Sequence, residues 1–320
     1  MRAALAACLA DLDKGEIERL LQQQNDLTRP LAFLVKGDVS GVQRFIYTLT
    51  SKGVAKGLRG RSFYLQLLNE AIARYILREM NLPITNLIYV GGGHFYLLVP
   101  PVGDERLTGI RQGLEDLLLK HHDGALYLAL GYTTLYAADF RADKFSDKWR
   151  EAGGSVNEAK RRRFAHVPDL FEPRGHGGNE ETECQVCHAE RKDVSKDDEE
   201  VRKCALCRSF EELGGALGRS QVLALGQIRR TQQEAGGYEA LLAELGFKVA
   251  LLDDEIEKRL GGWTDVERVT VLGLRDFPNA KFRERVSRAL RCPVATGVRY
   301  TANVTPYRGY QIATFEDLQE

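Results

Sequence analysis

The chain has 320 residues, of which 43% are hydrophobic and 28% are charged, a composition typical of globular proteins. Basic and acidic residues number 45 each, so the formal net charge is zero and no overall positive field exists for coating nucleic acid. The apolar start is short, is followed by Asp11 and Asp13, and lacks the pattern of a signal peptide. We therefore expect a cytoplasmic protein with no membrane segment.

The pattern of apolar residues predicts an α+β fold. Residues 1–30 contain one predicted helix, 17–24, which we interpret as an N-terminal helical adaptor. Residues 31–150 then predict a ferredoxin-like order of strand, helix, strand, strand, helix and strand with one extra helix. The predicted elements are strand 31–35, helix 43–50, a Gly/Lys loop 51–60, helix 62–80, strands 87–90 and 95–99, helix 105–121 and strand 125–136.

The composition changes after residue 150. Residues 151–212 are poor in apolar clusters and predict a basic linker followed by a small metal-binding module. Residues 213–320 regain helix and strand signals and predict a second, helical and α+β region. Its predicted elements, the first of which starts just before it, are helices 211–231 and 238–245 and strands 248–252, 268–272 and 298–304.

Four of the six cysteines form two Cys-x-x-Cys pairs that are sixteen residues apart, Cys184, Cys187, Cys204 and Cys207. Four thiolates at this spacing complete a tetrahedral Zn²⁺ shell and leave no open position for a substrate, so we predict a structural zinc. The alternative interpretation is a set of free redox thiols. His176 and His188 lie nearby in the sequence, but four cysteines suffice, and Cys8 and Cys292 are expected to be plain thiols.

The run from Gly37 to Ile46 and the later Gly91-Gly92-Gly93-His94 are typical of a nucleotide-handling palm. The first run predicts a strand that ends in Asp38 and a small turn that opens a helix, and its N–H groups suit a phosphate. The second predicts a hairpin tip. Asp38 could hold one divalent cation or cap the helix, and His94 could contact a nucleotide or be a structural hydrogen-bonding residue.

Several polar residues are candidates for phosphate binding through backbone and side-chain donors. They are Ser40, Gly41 and Gln43 in the turn, and Lys52, Gly53, Lys56, Arg59 and Arg61 after it. The alternative is that these basic residues are simply solvated. The same two interpretations, contact with RNA or solvation, apply to the basic run Lys160 to Arg163.

The segments Gly37–Tyr47, Ser51–Gly53, Leu58–Tyr64, Asn86–Leu98 and Thr314–Leu318 resemble the large, polymerase-like subunit of type III CRISPR effector complexes, especially the Csm branch. The resemblance implies a first palm domain followed by a zinc module, in an RNA-guided complex that joins ATP into cyclic oligoadenylate. It implies that Asp38, Ser40, Gly41, Gln43 and Gly91–His94 line an ATP pocket. It also implies other effector subunits, guide RNA and target RNA as partners.

The sequence departs from this family in lacking Gly-Gly-Asp-Asp, the metal-binding tip of the second palm. Two cations held by several acids are the usual requirement for phosphoryl transfer to a hydroxyl. We therefore expect half of a nucleotidyltransferase site, inactive alone, whose Mg²⁺ comes with a second palm on another chain or a missing segment. The chain is then either a split large subunit or a shortened one. The alternatives are a non-catalytic scaffold that binds guide RNA and neighbouring subunits, and a cyclase that works as a homodimer.

Overall fold

The computed structural model describes residues 1–22, 29–49, 54–101, 104–140, 145–172, 178–197, 200–231, 236–253, 255–274, 280–290, 292–296, 307–308 and 311–312. The chain forms two compact units, Met1–Gly215 with Gln232–Leu245, and Ala216–Thr231 with Gly246–Glu320. Helices and largely antiparallel sheets occur in both, so the predicted mixed α+β class is confirmed. None of the described helices combines the length and apolar content needed to cross a membrane.

The first unit contains one four-stranded sheet, its helices and a small two-stranded ribbon. In chain order the elements are α1 (Arg2–Cys8), α2 (Lys14–Gln22), β1 (Ala32–Ser40), α3 (Val42–Tyr47), α4 (Val54–Glu79), β2 (Leu87–Gly91), β3 (His94–Val99), α5 (Asp104–His122), β4 (Tyr127–Leu135), α6 (Phe145–Arg161), β5 (Ser195–Lys196), β6 (Arg202–Lys203), α7 (Ala205–Leu217) and α8 (Tyr238–Glu244).

The sheet has the strand order β2-β3-β1-β4, and all neighbouring strands are antiparallel. The element order from β1 to β4 is the split β-α-β order predicted from the sequence, with α3 and α4 both between β1 and β2. Helices α4 and α5 pack on the sheet, and α1 and α6 pack against β3, β1 and β4. Leu34, Leu98, Leu135 and Ala152 form part of the buried core beside α1 and α6.

Two predicted boundaries of the first unit are wrong by about five residues or more, and both lie in segments that contain glycine. Strand β1 does not end at residue 35 but continues to Ser40, because β3 pairs with it as far as Asp38 and β4 as far as Ser40. Helix α4 begins at Val54, so the predicted loop 51–60 is helical from that residue. A Cβ atom at Gly60 would lie 1.8 Å from the carbonyl oxygen of Phe210, so this glycine permits a close helix crossing with α7.

Helix α6 runs without a break across residue 150, the position at which the sequence predicted a change from palm to linker. Its inner side packs on β4 and β1 through residues such as Ala152 and Val156. The helix therefore belongs to the packing of the sheet, although its sequence is rich in charged residues.

The second unit is a smaller mixed sheet with the strand order β10-β9-β7-β8. Its elements are β7 (Val222–Ile228), β8 (Phe247–Leu252), α9 (Ile256–Leu260), β9 (Val266–Gly273), α10 (Ala280–Leu290) and β10 (Val294–Thr296), followed by a short pair, β11 (Tyr307–Arg308) and β12 (Gln311–Ile312). Strand β7 is antiparallel to β8 and β9, and β10 is parallel to β9.

The predicted helix 211–231 is wrong in its second half, where β7 lies. A short run of buried apolar residues cannot be assigned to helix or strand by periodicity alone, and Val222 to Leu225 is such a run. The predicted strand 298–304 lies outside the described residues.

Candidate functional site

The strongest candidate site is a group of four cysteine side chains, Cys184, Cys187, Cys204 and Cys207, whose sulfur atoms all lie within 4.8 Å of one another. The Sγ atoms of Cys187 and Cys204 are 3.8 Å apart. All four thiols are free, and a disulfide would need a sulfur–sulfur distance of about 2.05 Å. Four sulfurs around one Zn²⁺ at about 2.3 Å would lie about 3.8 Å from one another, so the arrangement fits a tetrahedral metal ion.

The two Cys-x-x-Cys segments are held in place by backbone hydrogen bonds. In the first, the His188 N–H donates to the Cys184 carbonyl oxygen at 2.8 Å, and His188 adopts a φ of 60°. In the second, Cys204 immediately precedes α7, and its own N–H donates to the Cys184 sulfur at 3.3 Å. Cys207 lies in the first turn of α7.

The four thiols are close enough to shift one another's pKa values, and they do so in opposite directions. Thiol donors, first Cys187 and then Cys204 and Cys207, hold the pKa of Cys184 well below its usual range. Donation to Cys184 in turn raises the pKa values of Cys204 and Cys207. The metal-free cluster therefore favours a thiolate at Cys184 and protonated Cys204 and Cys207.

His188 lies outside the cluster. Its side chain is 72% exposed, and its Nδ1 atom is 2.9 Å from the Glu183 carboxylate. His176 lies outside the described residues. Among the residues that the structure describes, the four cysteines form the only group of three or more Cys, His, Asp or Glu side chains close enough to share a metal ion.

A cavity of about 600 Å³ lies in the first unit beside the first cysteine pair. Its walls include Arg44 and Tyr47 from α3, His122 from α5, and Cys187 and Arg191. Cys187 and Cys207 line it, so the cavity borders the cysteine cluster directly.

Asp38 lies next to the hairpin tip, as the sequence predicts. Its Cα atom pairs with that of His94 across β1 and β3. The Asp38 carboxylate accepts a hydrogen bond from the Ser40 hydroxyl at 2.8 Å and forms an ion pair with Lys160 of α6 at 3.0 Å. The Lys160 ammonium therefore neutralises the Asp38 carboxylate, which the sequence analysis considered as a ligand for a divalent cation.

The alternative interpretation of Asp38 as a helix cap is wrong. Gly41 is the N-cap residue of α3, and no side chain caps this helix. Gly41 has a φ of 90°, and a Cβ atom there would lie 2.1 Å from the Ala125 carbonyl oxygen. Only glycine fits this turn, because a side chain would meet both backbone strain and a collision.

The predicted hairpin tip is confirmed. Gly91 pairs with His94, and the two residues between them, Gly92 and Gly93, have φ values of 60° and 84°. Positive φ at both central residues is the backbone of a two-residue hairpin turn that matches the strand twist. The Gly93 carbonyl oxygen accepts a hydrogen bond from the Val39 N–H at 2.8 Å, which joins the tip to β1.

The other predicted site residues lie in different surroundings. Gln43 is exposed in the first turn of α3, near the tip, while Lys52 and Gly53 lie outside the described residues. His94 Nδ1 is 3.3 Å from the Gly92 carbonyl oxygen. Arg61 is 3% exposed and contacts the cysteine cluster, so its predicted contact with phosphate has no support from its position.

The four basic residues Lys160 to Arg163, at and after the end of α6, lie in different surroundings. Lys160 pairs with Asp38, and the Arg163 guanidinium lies 5.5 Å from the centre of the Tyr127 ring. Arg161 and Arg162 are 80% and 75% exposed, and both lie near Glu158.

The sequence analysis did not anticipate a buried aromatic cluster behind the cysteine site. The rings of Phe45 and Tyr64 contact His122, whose Nε2 lies 2.7 Å from the Tyr64 hydroxyl oxygen, and Phe210 and Tyr238 pack against Tyr64. Burial, with smaller contributions from the nearby His121, Arg191 and Arg61, lowers the pKa of His122 to about 3. The phenylalanines and tyrosines were visible in the sequence as apolar positions, but no spacing links them to His122.

Comparison with known proteins agrees with the resemblance seen in the sequence. Residues 31–175 match the family model described as Csm1 subunit domain B. The chain is also 32% identical, over 232 residues, to a Methanocaldococcus jannaschii protein named CRISPR system single-strand-specific deoxyribonuclease Cas10/Csm1 (subtype III-A); the match covers 66% of this chain and 28% of that protein. The chain is similar to part of Csm1.

Solved structures of Csm1 share the fold. The Csm1–Csm4 cassette in complex with one ATP aligns with a TM-score of 0.54 at 21% identity, covering 87% of this chain and 32% of the other. The Csm1–Csm4 cassette in complex with cA3 aligns with a TM-score of 0.53 at 20% identity, covering 87% and 32%. The chain thus spans less than a third of the length of these relatives.

Proposed function

We propose that the chain supplies a ferredoxin-like palm that binds ATP in a type III CRISPR effector complex. This palm is half of a site for cyclic oligoadenylate synthesis, and a second palm with metal-binding acids supplies the other half. The Csm1–Csm4 structures in complex with ATP and with cA3 support this proposal, because the chain shares their fold.

The observation that carries the proposal is the meeting of Asp38, the Gly41 turn and the Gly91–His94 tip at one end of the sheet. This position offers backbone N–H groups at the start of α3 and a glycine surface without side chains. Ser40, Gln43 and His94 are polar side chains beside it. We infer that a nucleotide triphosphate binds there.

The same position does not fit the two Mg²⁺ ions of phosphoryl transfer. Asp38 is paired with Lys160, and no group of three metal-ligating side chains lies at the tip among the residues that the structure describes. We therefore propose that the metal ions are held by acids of the second palm, and that this chain positions one ATP without activating it.

We propose that the four cysteines hold a structural Zn²⁺. Their sulfur distances suit a four-coordinate ion, and the closed sulfur shell leaves no open position for catalysis. The ion would order residues 178–197 and 200–204, which contain little regular structure besides the short ribbon of β5 and β6.

Calorimetry with ATP tests the nucleotide site. We expect binding by the purified chain, weaker binding by the Gln43→Ala and His94→Ala variants, and unchanged binding by the control Gln112→Ala on α5. Incubation of the chain alone with ATP and Mg²⁺ should give no oligoadenylate. Absence of any ATP binding, or product made by the chain alone, would contradict the proposal.

A second candidate function is a scaffold that binds guide RNA and neighbouring subunits. It is favoured by the exposure of Arg161 and Arg162, whose nearest carboxylate, that of Glu158, is 3.7 and 3.3 Å away. Replacing both arginines with glutamine should lower RNA affinity and its salt dependence if this function holds. Unchanged RNA binding by the double variant would rule out this surface.

A further inference from the structure

We propose that Arg61 is a positioning residue that joins the cysteine metal site to helix α3. Its guanidinium group donates from Nη2 to the Cys207 sulfur at 3.3 Å and from Nη1 to the Phe45 carbonyl oxygen at 3.0 Å. One planar group thus bridges a metal-ligating thiolate and the middle of α3. This inference rests on the proposed metal site, and it assigns Arg61 a role different from phosphate binding.

The buried positive charge of Arg61 needs a negative partner. Arg61 is 3% exposed, and no carboxylate forms an ion pair with it in the described part of the chain. A buried charge without a counter-charge is strongly destabilising. A divalent ion on four thiolates carries two net negative charges, so the loaded cluster supplies the counter-charge that Arg61 otherwise lacks.

Arg191 lines the same cavity as Arg61 and Cys187, but its surroundings differ. It pairs with Asp123 at 2.5 Å and donates to the His121 carbonyl oxygen at 3.0 Å. Burial lowers the pKa of Arg191, but attraction to Asp123 and to the cysteine sulfurs outweighs burial and raises it. Arg191 therefore has its own carboxylate, whereas Arg61 depends on the metal site.

Geometry is the second argument. The Arg61 guanidinium lies beside two aromatic rings, 4.8 Å from the centre of the Phe45 ring and 5.0 Å from that of Phe210. The two rings are 5.3 Å apart and nearly perpendicular, so they restrict the space around the guanidinium, and its two donors reach different partners. Lysine would keep the charge but cannot reproduce this rigid fork.

The connection continues to the proposed nucleotide turn. Phe45, whose carbonyl oxygen accepts from Arg61, donates its own N–H to the Gly41 carbonyl oxygen at 3.0 Å. Gly41 is the residue at which β1 turns into α3. Loss of the metal or of Arg61 should therefore loosen α3 at the start of the proposed ATP site.

Binding of Co²⁺ tests the inference, because its thiolate charge-transfer absorption reports both affinity and sulfur environment. We expect Arg61→Met to weaken Co²⁺ affinity about 10- to 100-fold, the usual effect of removing an outer partner of a ligand. The band should move to lower energy, because the sulfur loses a hydrogen bond and a nearby cation. The Co²⁺ affinity and band energy of Arg61→Lys should lie between those of Arg61→Met and the wild-type chain. The control Arg74→Met changes an arginine on the same helix that is paired with Glu70, and it should match the wild-type chain in both measurements.

Hydrogen exchange of the wild-type chain provides a test that needs no substitution. Removing the metal should accelerate exchange in α3, while the central strand β3 serves as an internal reference. Wild-type protein that does not bind Co²⁺ would overturn the metal site itself. If the wild-type protein binds Co²⁺, two results would overturn only the role of Arg61. One is that Arg61→Met and Arg74→Met have the same Co²⁺ affinity and absorption band, and the other is that the exchange rate of α3 is the same with and without the metal.

Discussion

Stability should fall in acid because His122 is buried in its neutral form. Burial lowers the pKa of His122 to about 3 from the ordinary value of 6.5. Below about pH 6.5 the unfolded chain takes up a proton that the folded chain does not, so stability is lost as pH falls. At 1.36 kcal/mol per pKa unit, lowering the pH from about 8 to about 4.5 should cost roughly 2.7 kcal/mol through this one residue.

The assay is urea unfolding of the wild-type chain and two variants at both pH values. His122→Gln should lack this acid-dependent loss. The free energy of unfolding of the wild type minus that of His122→Gln should therefore be lower at about pH 4.5 than at about pH 8, by roughly 2.7 kcal/mol. Tyr64→Phe removes the hydroxyl beside Nε2 but should keep most of the pH dependence, since burial is the main cause. A difference between wild type and His122→Gln that stays constant with pH would refute the reasoning.

Three further predictions follow from particular contacts. Gly41→Ala should lower the free energy of unfolding by at least about 1–2 kcal/mol, from the left-handed backbone alone; stability equal to wild type in urea would contradict this. Loading the chain with Zn²⁺ should release protons from Cys204 and Cys207, whose pKa values are raised in the metal-free cluster; calorimetry in two buffers of different ionisation enthalpy measures the release. Lys160→Met should change stability by less than about 1 kcal/mol, because its pair with Asp38 is partly exposed; a larger loss in thermal unfolding would show that α6 depends on this pair.

The sequence predicted those parts of the fold that depend on local patterns. The hairpin at Gly92–Gly93 has a strong local signal, because two glycines between alternating apolar runs suit one turn type. The four cysteines were equally clear, since their spacing alone implies a shared metal. The resemblance to the Csm branch of type III CRISPR large subunits is confirmed by the comparison with known proteins.

The errors arose where packing between distant segments decides the structure. Gly57 and Gly60 resemble loop residues in the sequence, but α4 includes them because α7 crosses closely at Gly60. The sequence of β7 resembles the end of a helix, and only its pairing with β8 and β9 makes it a strand. Lys160 could not be linked to Asp38 from the sequence, because 121 residues separate them and only the packing of α6 on β1 brings them together.

In the candidate site, too, contacts that follow from local strand patterns were predicted, and contacts that depend on the tertiary fold were not. Asp38 and His94 were expected to meet, and the pairing of β1 with β3 brings them together. Arg61 was assigned to phosphate because it follows a Lys/Gly-rich segment, yet it is buried beside Phe45 and Phe210. Its contact with Cys207, 146 residues away, depends on the tertiary fold and has no local sequence signal.

This chain is proposed to bind ATP but to be unable to assemble the metal ions needed for the reaction of ATP. The direct test is to incubate the purified chain with ATP and Mg²⁺, alone and together with a separately purified palm that carries Gly-Gly-Asp-Asp, and to measure oligoadenylate. We predict no product from either component alone and product from the mixture. Oligoadenylate formed by this chain alone would contradict the account.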